Sequence, residues 1–378
     1  MKKLVCIMIC VLLCSSGLRG LSAEAEDALP EAAAYVLMEC DTGTVLEESN
    51  RDVRLPVGTM AKLMTALLAG EMLQSGEWQT DTMLTASDCV NGTKGAVIWL
   101  LPGETMSVED LLKGLIIGNA GDAAAVLAEN ISGSIEDFVM DMNARAFELG
   151  MRNTVFTSPQ GYDDDAAYST AYDMGLLCCA LSKLSCLVPY FTTWREFLRD
   201  GATELVNENT FARTYEGMTG WKAGHSEAAG WCLAAGAERD GMQCAAIVLG
   251  AADGDARFTL AKSLLRKGFS QYQVTLPGYS SEFMKPISVH GGVFRSVEIE
   301  TEQLEGLVVP KSDPSLTTLL VLPKYVNAPV KKGQQIGVAA FYNGDTLLLE
   351  TALVAKESVE EMTIQTAIRK ILVKLCKL

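Results

Sequence analysis

The stretch "LPVGTMAKLMTALLAGE", residues 55–71, decides how the whole chain is read. A proline and a small-residue turn lead into Thr59-x-x-Lys62, and a strongly helical run follows. Residues three apart share a helix face, so the Lys62 amine can approach the Thr59 hydroxyl. A lysine whose pKa is lowered by burial and nearby cations then serves as base to that hydroxyl. The helix N-terminus adds N–H groups for a developing oxyanion. Alone, the pattern carries little weight, because about one T-x-x-K arises by chance in a chain this long. A capping threonine beside a solvated lysine explains it equally well until the rest of the sequence is considered.

Around this stretch the periodicities alternate between strand and helix. "AAYVLMECDTGTVLEES" before it reads as two strands about the turn Asp41-Thr42-Gly43. Helical spacing predicts helices over 62–74, 108–117, 123–130, 135–149 and 170–181. Strands return over 219–222, 230–238 and 242–249, with Asp240-Gly241 as a type I′ hairpin signal, and a helix over 256–267 closes the unit. Strands at both ends with helices between them predict an α+β domain, an antiparallel sheet flanked by helices, over residues 26–272. From "YQVTLPGYSSE" the texture turns β-rich, with a hairpin "VAAFYNGDTLLLETALVA", and predicts a small β-sandwich over 273–357.

The two ends differ from both units. Met1-Lys2-Lys3, an apolar run to Cys14 and Ala23-Glu24-Ala25 give the three parts of a secretory signal, removed after Ala25. The run is too short to span a bilayer, and the bulky Leu13 before Cys14 argues against lipid attachment. The tail, residues 358–378, places Ile364, Ile368, Ile371, Leu372, Leu375 and Leu378 on one helical stripe with Arg369, Lys370 and Lys377 facing away. In a chain of net charge −16, a terminal lysine-rich amphipathic helix suits the membrane surface better than packing on the sandwich. Acidity without a basic patch excludes nucleic acid as partner. The 11 cysteines form no C-x-x-C pair and no metal-type spacing, which predicts buried free thiols and no metal.

Two further stretches turn these pieces into a family likeness. "GLIIGNAGDAAAVLAE" lies at 114–129, and "GMTGWKAGHSEAAGWCLAAGAERDGM" at 217–242. With Thr59-x-x-Lys62 they resemble, in order and context, the S-x-x-K, S-x-N and K-T-G motifs of the D-alanyl-D-alanine carboxypeptidases, the low-molecular-weight penicillin-binding proteins. The likeness runs from about residue 30 to the end. "NARAFELGMRNTVFTSPQGYDDDAAYSTAYDM", "VNENTF" before the third motif, "APVKKGQQIG" in the accessory sandwich and the amphipathic tail are also similar to that family. The resemblance implies a β-lactamase/transpeptidase-like fold and a serine-type peptidase without cofactor. It also implies an exported location, peripherally attached to the outer face of the cytoplasmic membrane. Its ligands would be peptidoglycan stem peptides ending in D-Ala-D-Ala, and β-lactams.

By the same resemblance Thr59 takes the nucleophile position and Lys62 that of its base. Asn119, Ala120 and Gly121 stand at S-x-N. Lys222, Ala223 and Gly224 stand at K-T-G, with Lys222 binding the substrate's terminal carboxylate. The lysines are kept and the hydroxyls are not. A threonine nucleophile carries an extra methyl that restricts χ1, Asn119 cannot relay a proton, and Ala223 lacks a hydroxyl for the carboxylate. The expectation is a slow carboxypeptidase; the alternative is a family member that binds cell-wall peptides or partners without turnover.

Other chemistry-bearing residues have simpler readings. His225 follows the third motif, but without G-x-S-x-G it reads as a cleft-rim residue. Asp163-Asp164-Asp165 lacks the spacing of a Ca²⁺ loop and reads as solvated. Trp99, Trp221 and Trp231 read as core.

Overall fold

Polar caps punctuate the chain and set where several of its helices begin. A computed structural model describes residues 31–277, 284–301 and 306–375; the expected signal segment, Cys376, Lys377 and Leu378 lie outside them. Strands β1 (Ala32–Glu39) and β2 (Val45–Ser49) form the first hairpin, and α1 (Lys62–Ser75) follows a single 3-10 turn, Gly58–Ala61. Two short strands, β3 (Met83–Thr85) and β4 (Thr105–Ser107), precede α2 (Val108–Ile116), α3 (Gly121–Ser132), α4 (Ile135–Glu148) and α5 (Ala171–Ser182). The side chains of Ser107, Ser134 and Thr170 accept the N–H three residues on at the starts of α2, α4 and α5. Each such cap contributes about 1 kcal/mol.

A second short hairpin, β5 (Arg195–Leu198) and β6 (Thr203–Val206), was not foreseen from periodicity. Then come the long strands β7 (Met218–Ser226), β8 (Gly230–Arg239) and β9 (Met242–Ala251), and α6 (Gly254–Gln271), capped by Asp253. The expected type I′ turn joins β8 to β9, with both Asp240 and Gly241 at positive φ. The main sheet is antiparallel in the order β2-β1-β9-β8-β7. Strand alternation gives it two buried faces. Val36, Met38, Ala234 and Ile247 belong to a core shared with α1, α3 and α5, whereas Leu37, Leu233 and Val248 pack with Leu260, Leu264 and Leu265 of α6. Burying each of the larger of these side chains, Val, Leu, Ile or Met, stabilises by about 1.5–3 kcal/mol. This is the α+β arrangement expected.

Helix α1 is the axis of the helical side. Its residues Leu63, Met64, Thr65, Ala66, Leu67, Ala69 and Gly70 are all buried, so it is enclosed rather than amphipathic. That enclosure fixes the depth and rotation of Thr59 and Lys62 at its mouth.

After α6, strand β10 (Tyr272–Thr275) pairs with residues Leu307–Pro310, and the remaining strands form a three-stranded and a four-stranded sheet. The four-stranded sheet centres on the hairpin Gln335–Asn343 and Thr346–Ala355. Val297, Val330 and Val359 fill one of its small cores, and Ala339, Phe341 and Leu353 another. The chain closes on helix α7 (Ile364–Leu375), where Ile364, Ile368 and Leu372 are exposed at 80%, 53% and 56%. Among the described residues no single helix is long and apolar enough to cross a membrane.

Cys40, Cys178, Cys179, Cys232 and Cys244 are buried, Cys89 is half-buried and Cys186 exposed, and all seven are free thiols. Burial pushes the Cys178 thiol well above its usual range, which leaves it protonated and unreactive. Among the described residues no cluster of metal-type side chains occurs.

A candidate active site at the mouth of the buried helix

Strand β7 lies at the edge of the main sheet and packs against the turn that carries Thr59. The approach is close. A Cβ on Gly224 would stand 2.7 Å from the Thr59 hydroxyl and 3.2 Å from the Met60 sulfur, so the strand passes the turn only because residue 224 is glycine. The Thr59 Oγ1 is buried there, with no hydrogen-bond partner among the described residues.

Beneath Thr59 the two lysines converge on one amide. The Asn119 Oδ1 accepts from Lys62 Nζ at 3.1 Å and from Lys222 Nζ at 2.7 Å. A carbonyl oxygen has two lone pairs, and both are engaged. Asn119 reaches this position from the loop between α2 and α3 with φ +54°, the left-handed conformation that asparagine tolerates better than most residues. Its amide nitrogen points the other way and donates to Glu208 Oε2 at 3.3 Å.

Both ammonium groups are costly to keep charged in this place, being only 5% exposed each. Burial and then repulsion from Lys222 lower the Lys62 pKa to about 7, against upward pulls from Glu208 and Asp122. Burial lowers Lys222 to about 8, with Glu208 opposing and Arg257 adding to the fall. Near neutral pH, Lys62 therefore spends a large fraction of its time as a free amine, the form a general base requires. Lys222 stays mostly cationic and suits an anion. The condition set for Lys62 by sequence, burial with a neighbouring cation, is met.

The other motif positions have different surroundings. Gly121 opens α3, and a Cβ there would lie 2.8 Å from the Thr93 methyl, so Thr93 fills the space a larger side chain would need. Ala223 alternates away from Lys222 and is buried with Leu233 and Phe211 on the α6 side of the sheet. Its backbone, not its methyl, is what it offers the cleft. The backbone oxygen of Gly224 accepts from the buried Arg257 Nη1 at 2.7 Å.

His225 is exposed on β7 with its ring 4.1 Å from that of Trp231, as suits a cleft-rim residue. The Asp163–Asp165 loop is exposed and lines a cavity of about 520 Å³ with Arg54, Pro56 and Tyr168. Trp221 is buried as expected, but Trp99 is 72% exposed and corrects the reading as core. The cause is Asp122, whose buried carboxylate accepts from the backbone N–H groups of Ile98 and Leu100 at 3.0–3.1 Å. Trp99, held between them at φ +55°, is turned outward.

Four residues that shape the site escaped the sequence reading: Thr93, Asp122, Glu208 and Arg257. For Glu208 the available signal was its place between two asparagines in "VNENTF". Asn207 and Asn209 are buried, with Asn207 Nδ2 and Oδ1 and Asn209 Oδ1 bonded to nearby backbone, and the residue between them is exposed.

With this geometry in place, comparison with known proteins is direct. A family model described as D-alanyl-D-alanine carboxypeptidase matches residues 22–253, and one described as penicillin-binding protein 5, C-terminal domain, matches residues 273–361. The chain is 33% identical over 346 residues to the D-alanyl-D-alanine carboxypeptidase DacF of Bacillus subtilis, covering 90% of this chain and 89% of that one. It is 30% identical to DacC of Escherichia coli, a carboxypeptidase of the same description, covering 88% and 85%. Among solved structures it is similar to penicillin binding protein 5 of Haemophilus influenzae, at 27% identity and a TM-score of 0.81 over 88% of this chain and 98% of that one. Penicillin-binding protein D2 of Listeria monocytogenes, solved with cefotaxime bound, superposes at a TM-score of 0.57 and 30% identity over 63% of this chain and 97% of that one. These relatives give the non-catalytic alternative no support.

Proposed function

The chain belongs to the D-alanyl-D-alanine carboxypeptidase family, and on that premise we propose that it removes the terminal D-alanine from peptidoglycan stem peptides through an acyl-enzyme. The convergence of Lys62 and Lys222 on Asn119 beneath the Thr59 turn is the observation that carries this reading. Thr59 Oγ1 attacks the carbonyl of the penultimate D-alanine, and Lys62 takes the hydroxyl proton and returns it to the departing amine. The C–N bond breaks, and water then hydrolyses the ester. Lys222 holds the terminal carboxylate, and the free edge of β7 offers backbone groups to an extended peptide. Asn119 orients both lysines. Its oxygen carries no proton to pass on, so transfer runs directly between Thr59, Lys62 and the leaving group.

Turnover is slow in this reading, because no hydroxyl at residues 119 or 223 assists. The test pairs release of D-alanine from a diacetyl-Lys-D-Ala-D-Ala peptide with intact mass after incubation with a labelled penicillin. The expected outcome is measurable release and one adduct, mapped by digestion to the peptide containing residue 59. No release together with no adduct would sink the proposal.

The setting follows from the ends of the chain. A signal ending at Ala25 exports the protein. Residues 26–272 form the catalytic unit and 273–357 the sandwich, and the tail holds the protein against the outer face of the membrane. Supporting the last step, Ile364, Ile368 and Leu372 recur at four-residue spacing and stand exposed on α7. Deleting residues 362–378 should release the mature protein from vesicles containing anionic lipid, read by co-sedimentation. Undiminished binding would refute the anchor.

A further inference from the structure

Two buried thiols meet where helix α5 packs on strand β1. Val36, Met38 and Cys40 alternate onto one face of the strand and its continuation, in which the Cys40 N–H donates to the Gln243 carbonyl at 2.8 Å. Helix α5 comes close to that face. A Cβ on Gly175 would stand 3.1 Å from the Met38 methyl and 3.4 Å from Val36 Cγ1, so the absence of a side chain at 175 permits the approach. One helical turn after Gly175, the Cys179 thiol donates to the Met38 sulfur at 3.5 Å and is itself hydrogen-bonded to the Cys40 thiol. Both cysteines are buried, at 3% and 7% exposure. Their hydrogen bond, with burial adding to it, pushes the Cys40 thiol well above its usual range.

The neighbouring thiols are engaged differently. Cys178 diverges from Cys179 by about 100° around the helix, Cys244 belongs to the core on the other face of the sheet, and Cys232 donates to the Ala229 carbonyl at 3.5 Å. Cys40 and Cys179 are the two in direct contact, and sulfurs in contact need only a small approach to reach the ~2.05 Å of a disulfide bond. The bond would close a loop of roughly 140 residues, a length at which constraining the unfolded chain has a large effect.

We propose that Cys40 and Cys179 are a modification site, a thiol pair oxidised to an intramolecular disulfide when the chain folds in the presence of a disulfide oxidant, and that the bond staples α5 to β1. The thiolate of one cysteine attacks a sulfur of the oxidant, forming a mixed disulfide and expelling one thiol. The second cysteine then attacks the first one's sulfur and expels the other thiol. Both protons pass to the departing thiolates, so the cysteine pair is oxidised and the oxidant reduced. Burial shields the folded pair, and the exchange therefore belongs to the stage before the core closes. The exported location proposed above is one where disulfides form and persist. The pair itself does not depend on the carboxypeptidase reading.

The full mature chain is folded from denaturant with oxidised and reduced glutathione, then denatured again, alkylated and digested for tandem mass spectrometry. Six of its eight cysteines should be alkylated, with Cys40 joined to Cys179. The midpoint of thermal unfolding should stand about 5–10 °C above that of the same protein after reduction. Cys178→Ala should keep the bond, whereas Cys179→Ala should lose both the bond and the gain in midpoint. Eight alkylated cysteines overturn the proposal, as does a bond from Cys40 to Cys178 or to any other cysteine. A Cys40–Cys179 bond that leaves the midpoint unchanged or lower overturns the staple. Oxidised glutathione added to the folded, reduced protein should form the bond far more slowly, and equal speed would overturn its assignment to the folding stage.

Discussion

Replacing Lys62 with methionine is expected to lower the rate of penicillin acylation by about 10²- to 10⁴-fold, the usual contribution of a positioned proton acceptor. The wild-type rate should rise with pH through about 7, where the Lys62 ammonium gives up its proton to become the base. In Lys62→Met that limb should disappear. A pH profile that keeps an inflection near 7 in the variant would assign the base elsewhere.

The same substitution should act on stability in a defined window. The folded-state pKa of Lys62 lies below the free lysine value of 10.5, so between about 7 and 10.5 the unfolded chain binds more protons than the folded one. Stability of the wild-type protein therefore rises with pH across that window, and below it the full cost of a buried ammonium is present. Methionine removes that cost, and Lys62→Met should unfold at a higher temperature than wild type near pH 7. The rise with pH should flatten without vanishing, because Lys222, lowered to about 8, contributes in the same direction. Lost acylation with a raised Tm separates a base from a residue that merely holds the fold together.

Where the sequence was readable, a local physical signal coincided with the boundary. Ser107 and Ser134 each stop the backbone with a side-chain oxygen, and the helices after them begin where periodicity placed them. Helix α3 starts two residues earlier than expected, because Ala120 has no capping side chain and the start is fixed by distant groups. The Gly121 N–H bonds to Ala96 and the Asp122 carboxylate to Ile98 and Leu100. The strand pairs β3–β4 and β5–β6 have strands of three or four residues, too few for a period of two to show. Trp99 was misread for the same reason as the α3 start: its exposure is dictated by Asp122, over twenty residues on.

The site itself was partly legible. Lys62 and Lys222 were singled out through order and context, and the fold buries both. Their shared acceptor, Asn119, was aligned with the second motif and seen only as a missing hydroxyl. In the fold its amide joins the two lysines to Glu208, which lies 89 residues away in sequence. No local pattern records that contact.

Thr59 is the position where function and stability are expected to part most clearly. Its hydroxyl is buried against Gly224 with no partner among the described residues, and an unsatisfied buried polar group costs about 1–3 kcal/mol. Thr59→Val replaces that hydroxyl with a methyl of similar shape. The variant should lose the penicillin adduct altogether and yet be as stable as wild type or more so, by up to that amount in chemical denaturation. Thr59→Ser makes the opposite change. It keeps the nucleophile and removes the β-branch that limits χ1, so the hydroxyl is free to turn from the β7 edge towards the Lys62 amine. If that freedom lowers the acylation barrier by about 1.4 kcal/mol, the rate rises about tenfold, and that is the upper size of the expected gain. The order Ser, then Thr, then Val in adduct formation, with stability highest in Val, is what a sterically restricted but competent nucleophile requires. An adduct that persists in Thr59→Val would remove Thr59 from the reaction, and a Thr59→Ser enzyme no faster than wild type would show that the methyl is not what slows it.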